Sequence, residues 1–243
     1  ASDVYKRQLL LNKADMADPS ATSRWIAAYR KQGFVALGMD CRSGKGVSNF
    51  APAVREQLLP ALLEKRAAHG MTGAPIRLMV VGIPNVGKSS FINRMAQSKR
   101  AKVEDRPGVT RTKQWVKIGS NMELLDMPGV LWPKFDDQTV AQKLAFTGAI
   151  NDDVMDLEAL ACLLLQRLAV SYPKALEERY RMTDLQAIQE DGFAMLELLG
   201  RKRGMLISGG EVNTERAAIT LLDEFRSGKL GRITLELPEQ EAL

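Results

Sequence analysis

"GIPNVGKSS", residues 82–90, decides how this chain is read. It follows the apolar run "IRLMVV" (76–81) and precedes "FINRMAQ" (91–97), the order of a buried strand, a loop and a helix. Gly82, Gly87, Lys88 and Ser89 satisfy G-x-x-x-x-G-K-[ST]. In that pattern backbone N–H groups and the lysine surround the phosphates of a nucleotide, and the serine hydroxyl ligates Mg²⁺. Asn85, Val86 and Ser90 belong to the same cradle. A glycine turn that merely shares the spacing is the competing reading, so the motif needs partners elsewhere.

Three stretches supply them. In "LLDMPG" (124–129), Asp126 ends a strand where a carboxylate can hold Mg²⁺ through water, and Gly129 follows at the D-x-x-G spacing, where its N–H can sense a γ-phosphate. Thr110 lies in a glycine- and proline-containing loop, and its hydroxyl could complete the Mg²⁺ shell. "NKAD" (12–15) ends another strand and reads the base. The Asp15 carboxylate offers two acceptors to guanine N1–H and the 2-amino group, a donor pair that adenine lacks, so the nucleotide is GTP or GDP. Asn12 would brace the loop and meet guanine N7, and Lys13 would lay its alkyl stem across the ring. "MDCRSGKG" (39–46) would supply a backbone amide to guanine O6, from Cys41.

With 243 residues, 45% of them hydrophobic and 26% charged, the chain can form one large or two small cores. The apolar run "LACLLL" (160–165) is too short to cross a bilayer, and no signal peptide opens the sequence, so the cytoplasm is expected. Cys41 and Cys162 stand apart without C-x-x-C spacing and read as structural. Net charge is +5, and residues 97–117 hold seven basic residues (Lys99, Arg100, Lys102, Arg106, Arg111, Lys113, Lys117) against Glu104 and Asp105. That excess suits either a solvated loop or a nucleic-acid contact.

The expected elements are a strand in "QLLLNKAD", a helix over 20–32, a strand in "FVALGMD", a helix over 47–69 with Val54, Leu58, Leu62 and Leu63 inward, and a linker at 69–75. The strand before Gly82 follows, then a helix from 88 to 97, and strands at 112–118 and 121–126 joined by Gly119 and Ser120. From Phe135 the pattern turns helical, with Leu157, Leu160, Leu164 and Leu168 on one stripe. Further helices are expected at 184–200 and 214–226, the last capped by Asn213 and closed by "SGKLG". An α/β nucleotide-binding domain over 1–135 is thus followed by a helical domain over 136–243.

The guanine motifs at 12 and 40 precede the phosphate loop at 82, the reverse of the order in a Ras-like GTPase. Circular permutation produces this order without moving either site. In "GIPNVGKSSFIN", "PGVTR", "LLDMPGVLWPKF" and "GGEVNTERAAITLLDEFRSGKLGRITLE" the chain resembles the circularly permuted GTPases, most closely the ribosome biogenesis GTPase A (YlqF-type) family.

The resemblance implies a cytoplasmic GTP hydrolase, and a monomer is expected. It implies binding to the large (50S) ribosomal subunit late in assembly, through a helical domain that contacts rRNA, with Arg201, Lys202 and Arg203 as basic candidates. It assigns Lys88, Thr110, Asn85 and Gly129 to catalysis, Ser89, Thr110 and Asp126 to Mg²⁺, and gives Asn85 a part in holding K⁺. Val130 stands where Ras-type enzymes place a water-orienting glutamine, so intrinsic hydrolysis should be slow. Undoing the permutation, a strand and helix should precede residue 9, where only "ASDVYKRQ" stands. The mostly parallel sheet is therefore expected to lack a central strand, to expose apolar edges and to hold its guanine loop loosely. An RNA-binding module with an incomplete, hydrolytically inactive nucleotide site is the alternative. An ATP-using P-loop enzyme is disfavoured by Asp15.

Overall fold

The computed structural model describes residues 7–57, 60, 64, 67, 75–97, 114–118, 122–131, 137–183 and 185–238. It divides into two compact units, Ala1–Leu131 with Glu236–Leu243, and Trp132–Leu235.

The first unit alternates strands and helices: β1 (Gln8–Leu11), α1 (Pro19–Lys31), β2 (Val35–Gly38), α2 (Phe50–Gln57), β3 (Ile76–Val80), α3 (Lys88–Gln97), β4 (Gln114–Ile118) and β5 (Met122–Asp126). Local chemistry sets the ends. Asp18 caps α1 by accepting from the Ser20 and Ala21 N–H groups, Pro19 occupies the first turn, and Arg30 and Lys31 face the dipole at the last. The helix expected over 47–69 opens differently. Gly46 is left-handed (φ 79°), and a 3₁₀ turn at Val47–Asn49 leads into α2, where Val54 is fully buried. Leu58, Leu62, Leu63 and the turn at Gly119 and Ser120 lie outside the described residues.

The mostly parallel sheet was expected to lack a central strand, and the described strands form two separate ladders. β1 and β2 pair in parallel from Gln8↔Val35 to Leu11↔Gly38. β3 runs parallel to β5 from Ile76↔Met122 to Val80↔Asp126, and β4 closes the order β3-β5-β4 antiparallel to β5. Among the described residues no strand ladders β1 to β3. Met79 and Val81 of the phosphate-loop strand and its exit are 60% and 66% exposed, where a strand covered on both faces buries such side chains. The opposite face is packed: Phe50 meets Phe91 edge-to-face at 4.9 Å, within a core of Met39, Val54, Ile92, Met95 and Leu124. That core seats α3 against β4, β5 and the 3₁₀ turn after β2.

The second unit is helical: α4 (Gln138–Phe146), α5 (Leu157–Ser171), α6 (Pro173–Tyr180), α7 (Gly192–Lys202) and α8 (Thr214–Arg226). Leu160, Leu164 and Leu168 of the α5 stripe are buried with Leu165, and Leu157 packs against them partly exposed. Asn213 caps α8 through the Arg216 N–H at 2.9 Å. The expected helix at 184–200 is instead a 3₁₀ turn at Leu185–Ala187 and then α7, begun by Asp191, whose carboxylate accepts from the Ala194 N–H. Glu224 of α8 is 5% exposed and bound by Arg179, by the Tyr180 hydroxyl (2.9 Å) and by Arg203 (3.3 Å), which fastens α6 and the end of α7 to α8.

Candidate functional site

The loop 81–87 turns from β3 into α3 through two left-handed residues, Asn85 (φ 59°) and Gly87 (φ 91°). Lys88 begins α3 and folds back over the loop, its Nζ donating to the carbonyls of Gly82 (3.1 Å) and Ile83 (2.8 Å). Burial lowers the Lys88 pKa, and the Asp126 carboxylate opposes that shift. Ser90 stands in the same first turn. Gly129 comes against this loop so closely that a Cβ would lie 2.8 Å from Pro84 N and Cα and 3.0 Å from Lys88 Nζ. The neighbouring Val130 N–H donates to Gly82 O at 3.3 Å. The D-x-x-G glycine and the phosphate-loop lysine therefore occupy one spot, and only a glycine fits there.

Asp126 ends β5 and is 9% exposed, and Ser89 Oγ lies 3.4 Å from its Oδ2. A hydroxyl and one carboxylate are hard oxygens of the kind that hold Mg²⁺ together with phosphates and water. Among the described residues no cluster of three His, Cys, Asp or Glu offers a rival cage. Thr110 and the basic residues from Lys99 to Lys113 lie outside the described residues.

The N-K-x-D loop meets the phosphate loop through Asn12. Its Nδ2 donates to Val86 O at 2.8 Å, and its Oδ1 accepts from the Cys41 N–H at 3.1 Å. A Cβ on Gly87 would stand 2.3 Å from Asn12 Nδ2, so this glycine makes room for asparagine as well as for the turn. Both polar atoms of Asn12 thus brace loops, and the amide of Cys41, expected at guanine O6, is given to Asn12 in this structure. Lys13 is left-handed (φ 59°), the Ala14 N–H donates to Met39 O (3.1 Å), and Asp15 is exposed at the tip of the turn. Asp40, also 9% exposed, shapes the second loop by accepting from the Arg42 (2.8 Å) and Ser43 (3.2 Å) amides. Burial works against its charge, but the bonds from Ser43 and Arg42 outweigh it and hold its pKa below the ordinary carboxylate value. Burial pushes the Cys41 thiol up to about 11, which leaves it inert.

Sequence reasoning missed Arg94. From α3 it donates Nε to Cys41 O at 3.1 Å and Nη2 to Arg42 O. In the helical unit all three residues of the basic triplet are exposed, and Arg203 also bonds Glu224 and lies over the Tyr180 ring.

A family described as "50S ribosome-binding GTPase" matches residues 77–189. A protein of Bacillus cereus named ribosome biogenesis GTPase A is 43% identical over 234 residues, 96% of this chain and 78% of its own length. Its namesake from Bacillus licheniformis is 44% identical over 240 residues, 98% of this chain and 83% of its own. A GDP-bound YlqF structure superposes with a TM-score of 0.63 at 25% identity, covering 95% of this chain and 83% of that one.

Proposed function

The chain belongs to the ribosome biogenesis GTPase A family, and on that footing we propose that it is a GTP-driven switch in late assembly of the large ribosomal subunit. It is a GTPase with a P-loop fold and works in ribosome assembly, which favours the hydrolase over the inactive-module reading. In our reading the guanine loops precede the phosphate loop by circular permutation, and one nucleotide spans both. The contact that carries this is Asn12, which bonds the phosphate loop with one amide atom and the second base loop with the other.

When GTP enters, Lys88 exchanges the carbonyls of Gly82 and Ile83 for phosphate oxygens, and the Gly129 N–H faces the γ-phosphate. Ser89, Thr110 and Asp126 would hold Mg²⁺, which offsets phosphate charge. Asp15 and Lys13 hold the base. The GTP state orders the loops and favours the subunit; hydrolysis releases the protein. The protein is cytoplasmic and monomeric in this reading, and among the described residues no helix is long and apolar enough to cross a membrane.

Val130, 71% exposed, has no group with which to orient water. In our reading K⁺ would be held with Asn85, as the family resemblance implies, and would supply positive charge at the γ-phosphate, with the subunit completing activation. Replacing Na⁺ by K⁺ should raise steady-state phosphate release by at least about tenfold, and purified 50S subunits should raise it further, since one added charge at a γ-phosphate is worth orders of magnitude. Equal rates in both salts, unchanged by subunits, would refute the mechanism.

For the rRNA contact, Arg201→Glu with Lys202→Glu should weaken subunit pelleting and lower the slope of log affinity against log salt by about 1 to 2, leaving intrinsic GTP turnover unchanged. A salt slope identical to that of the unsubstituted chain would place the RNA elsewhere.

A further inference from the structure

We infer that Arg94 is a positioning residue for guanine recognition: from the helix that starts at the phosphates, its guanidinium holds the base-side loop 40–46 in place. The inference rests on the reading of that loop as guanine-facing. The loop's own bonds give it shape: Asp40 accepts from Arg42 and Ser43, Gly44 N–H donates to Asp40 O (2.8 Å), and Asp40 N–H to Lys45 O (2.9 Å). Shape is not position. Among the described residues β2, which delivers the loop, ladders to β1, and neither strand ladders to β3-β5-β4. Side chains from other elements reach this loop and hold it.

Two do so. Asn12 takes the Cys41 N–H, and Arg94 takes the Cys41 and Arg42 carbonyls, so one peptide segment is gripped from both sides. The Arg94 guanidinium also lies close to Gly44, where a Cβ would come 3.4 Å from Cζ. Arg94 sits less than two helical turns beyond Lys88, so the element that begins at the phosphates also fixes the base loop. A planar fork with donors at Nε and Nη2 suits two successive carbonyls, which a lysine cannot serve together.

The test displaces mant-GDP from the unsubstituted chain, Arg94→Ala and Arg94→Lys with GDP, ADP and inorganic tripolyphosphate, alongside thermal melting. Arg94→Ala should bind GDP about tenfold to a hundredfold more weakly, with ADP and tripolyphosphate changed by less than about twofold. Arg94→Lys should fall between, and it carries the same comparison if the alanine variant melts below the assay temperature. Unchanged GDP affinity, or the same loss for all three ligands, would overturn the inference. An unsubstituted chain that binds no mant-GDP would instead sink the nucleotide-site reading, and this inference with it.

Discussion

Asp15→Asn is expected to weaken GDP binding by about a hundredfold or more while xanthosine diphosphate becomes the better ligand. A carboxylate offers guanine two acceptors, one for N1–H and one for the 2-amino group. The amide keeps one acceptor and sets an NH₂ against the guanine amine, donor facing donor. Xanthine carries a carbonyl at that carbon and turns the clash into a hydrogen bond. Sites built around such pairs discriminate by orders of magnitude, because the wrong partner leaves desolvated groups unpaired. Asp15 is exposed at its turn, so the substitution should leave melting unchanged. Isothermal titration with both diphosphates reads the switch, and a variant that still prefers GDP would remove Asp15 from the base site.

How much of this could be read from the sequence depends on the range of the forces involved. The phosphate loop, D-x-x-G and N-K-x-D can be picked out in the sequence because each is a short pattern whose residues stand at fixed spacing along the chain. Asn213 and the α5 leucines were legible for the same reason, since caps and helical stripes are local. The helix expected at 184–200 failed on a local competition: Leu185 and Ile188 continue an apolar rhythm, but Asp191 terminates it as a cap for the helix that starts at Gly192. Arg94 and Arg203 were opaque because their partners come from elsewhere. Nothing in "FINRMAQ" indicates carbonyls more than fifty residues earlier, and nothing in "GRKRG" indicates that one of its arginines is committed to Glu224. A gap in the sheet follows from undoing the permutation, but the contacts of Asn12 and Arg94 with the loop at 41–42 join residues far apart in the chain and leave no local pattern.

The same Glu224 makes the helical unit acid-sensitive. Hydrogen bonds from Arg179 outweigh burial, and together with the Tyr180 hydroxyl and the Arg179 and Arg203 charges they hold the Glu224 carboxyl down at about 2, against an ordinary value of 4.5. A folded-state pKa below the unfolded one means stability that is complete above pH 4.5 and is lost as pH falls toward 2. The depression corresponds to about 3 kcal/mol at neutral pH, a large share of what a unit this size commands. Glu224→Gln should forfeit it at pH 7, because two guanidinium groups and a buried hydroxyl would then face a neutral amide. The transition of the helical unit should drop by more than about 10 °C. Between pH 5 and 3 the unsubstituted chain should lose stability steeply, while the glutamine variant, already without the charge, should lose much less. Parallel acid profiles for the two proteins would show that the carboxylate is not what joins α6, α7 and α8, and would transfer that role to the leucine core around Leu164 and Leu221.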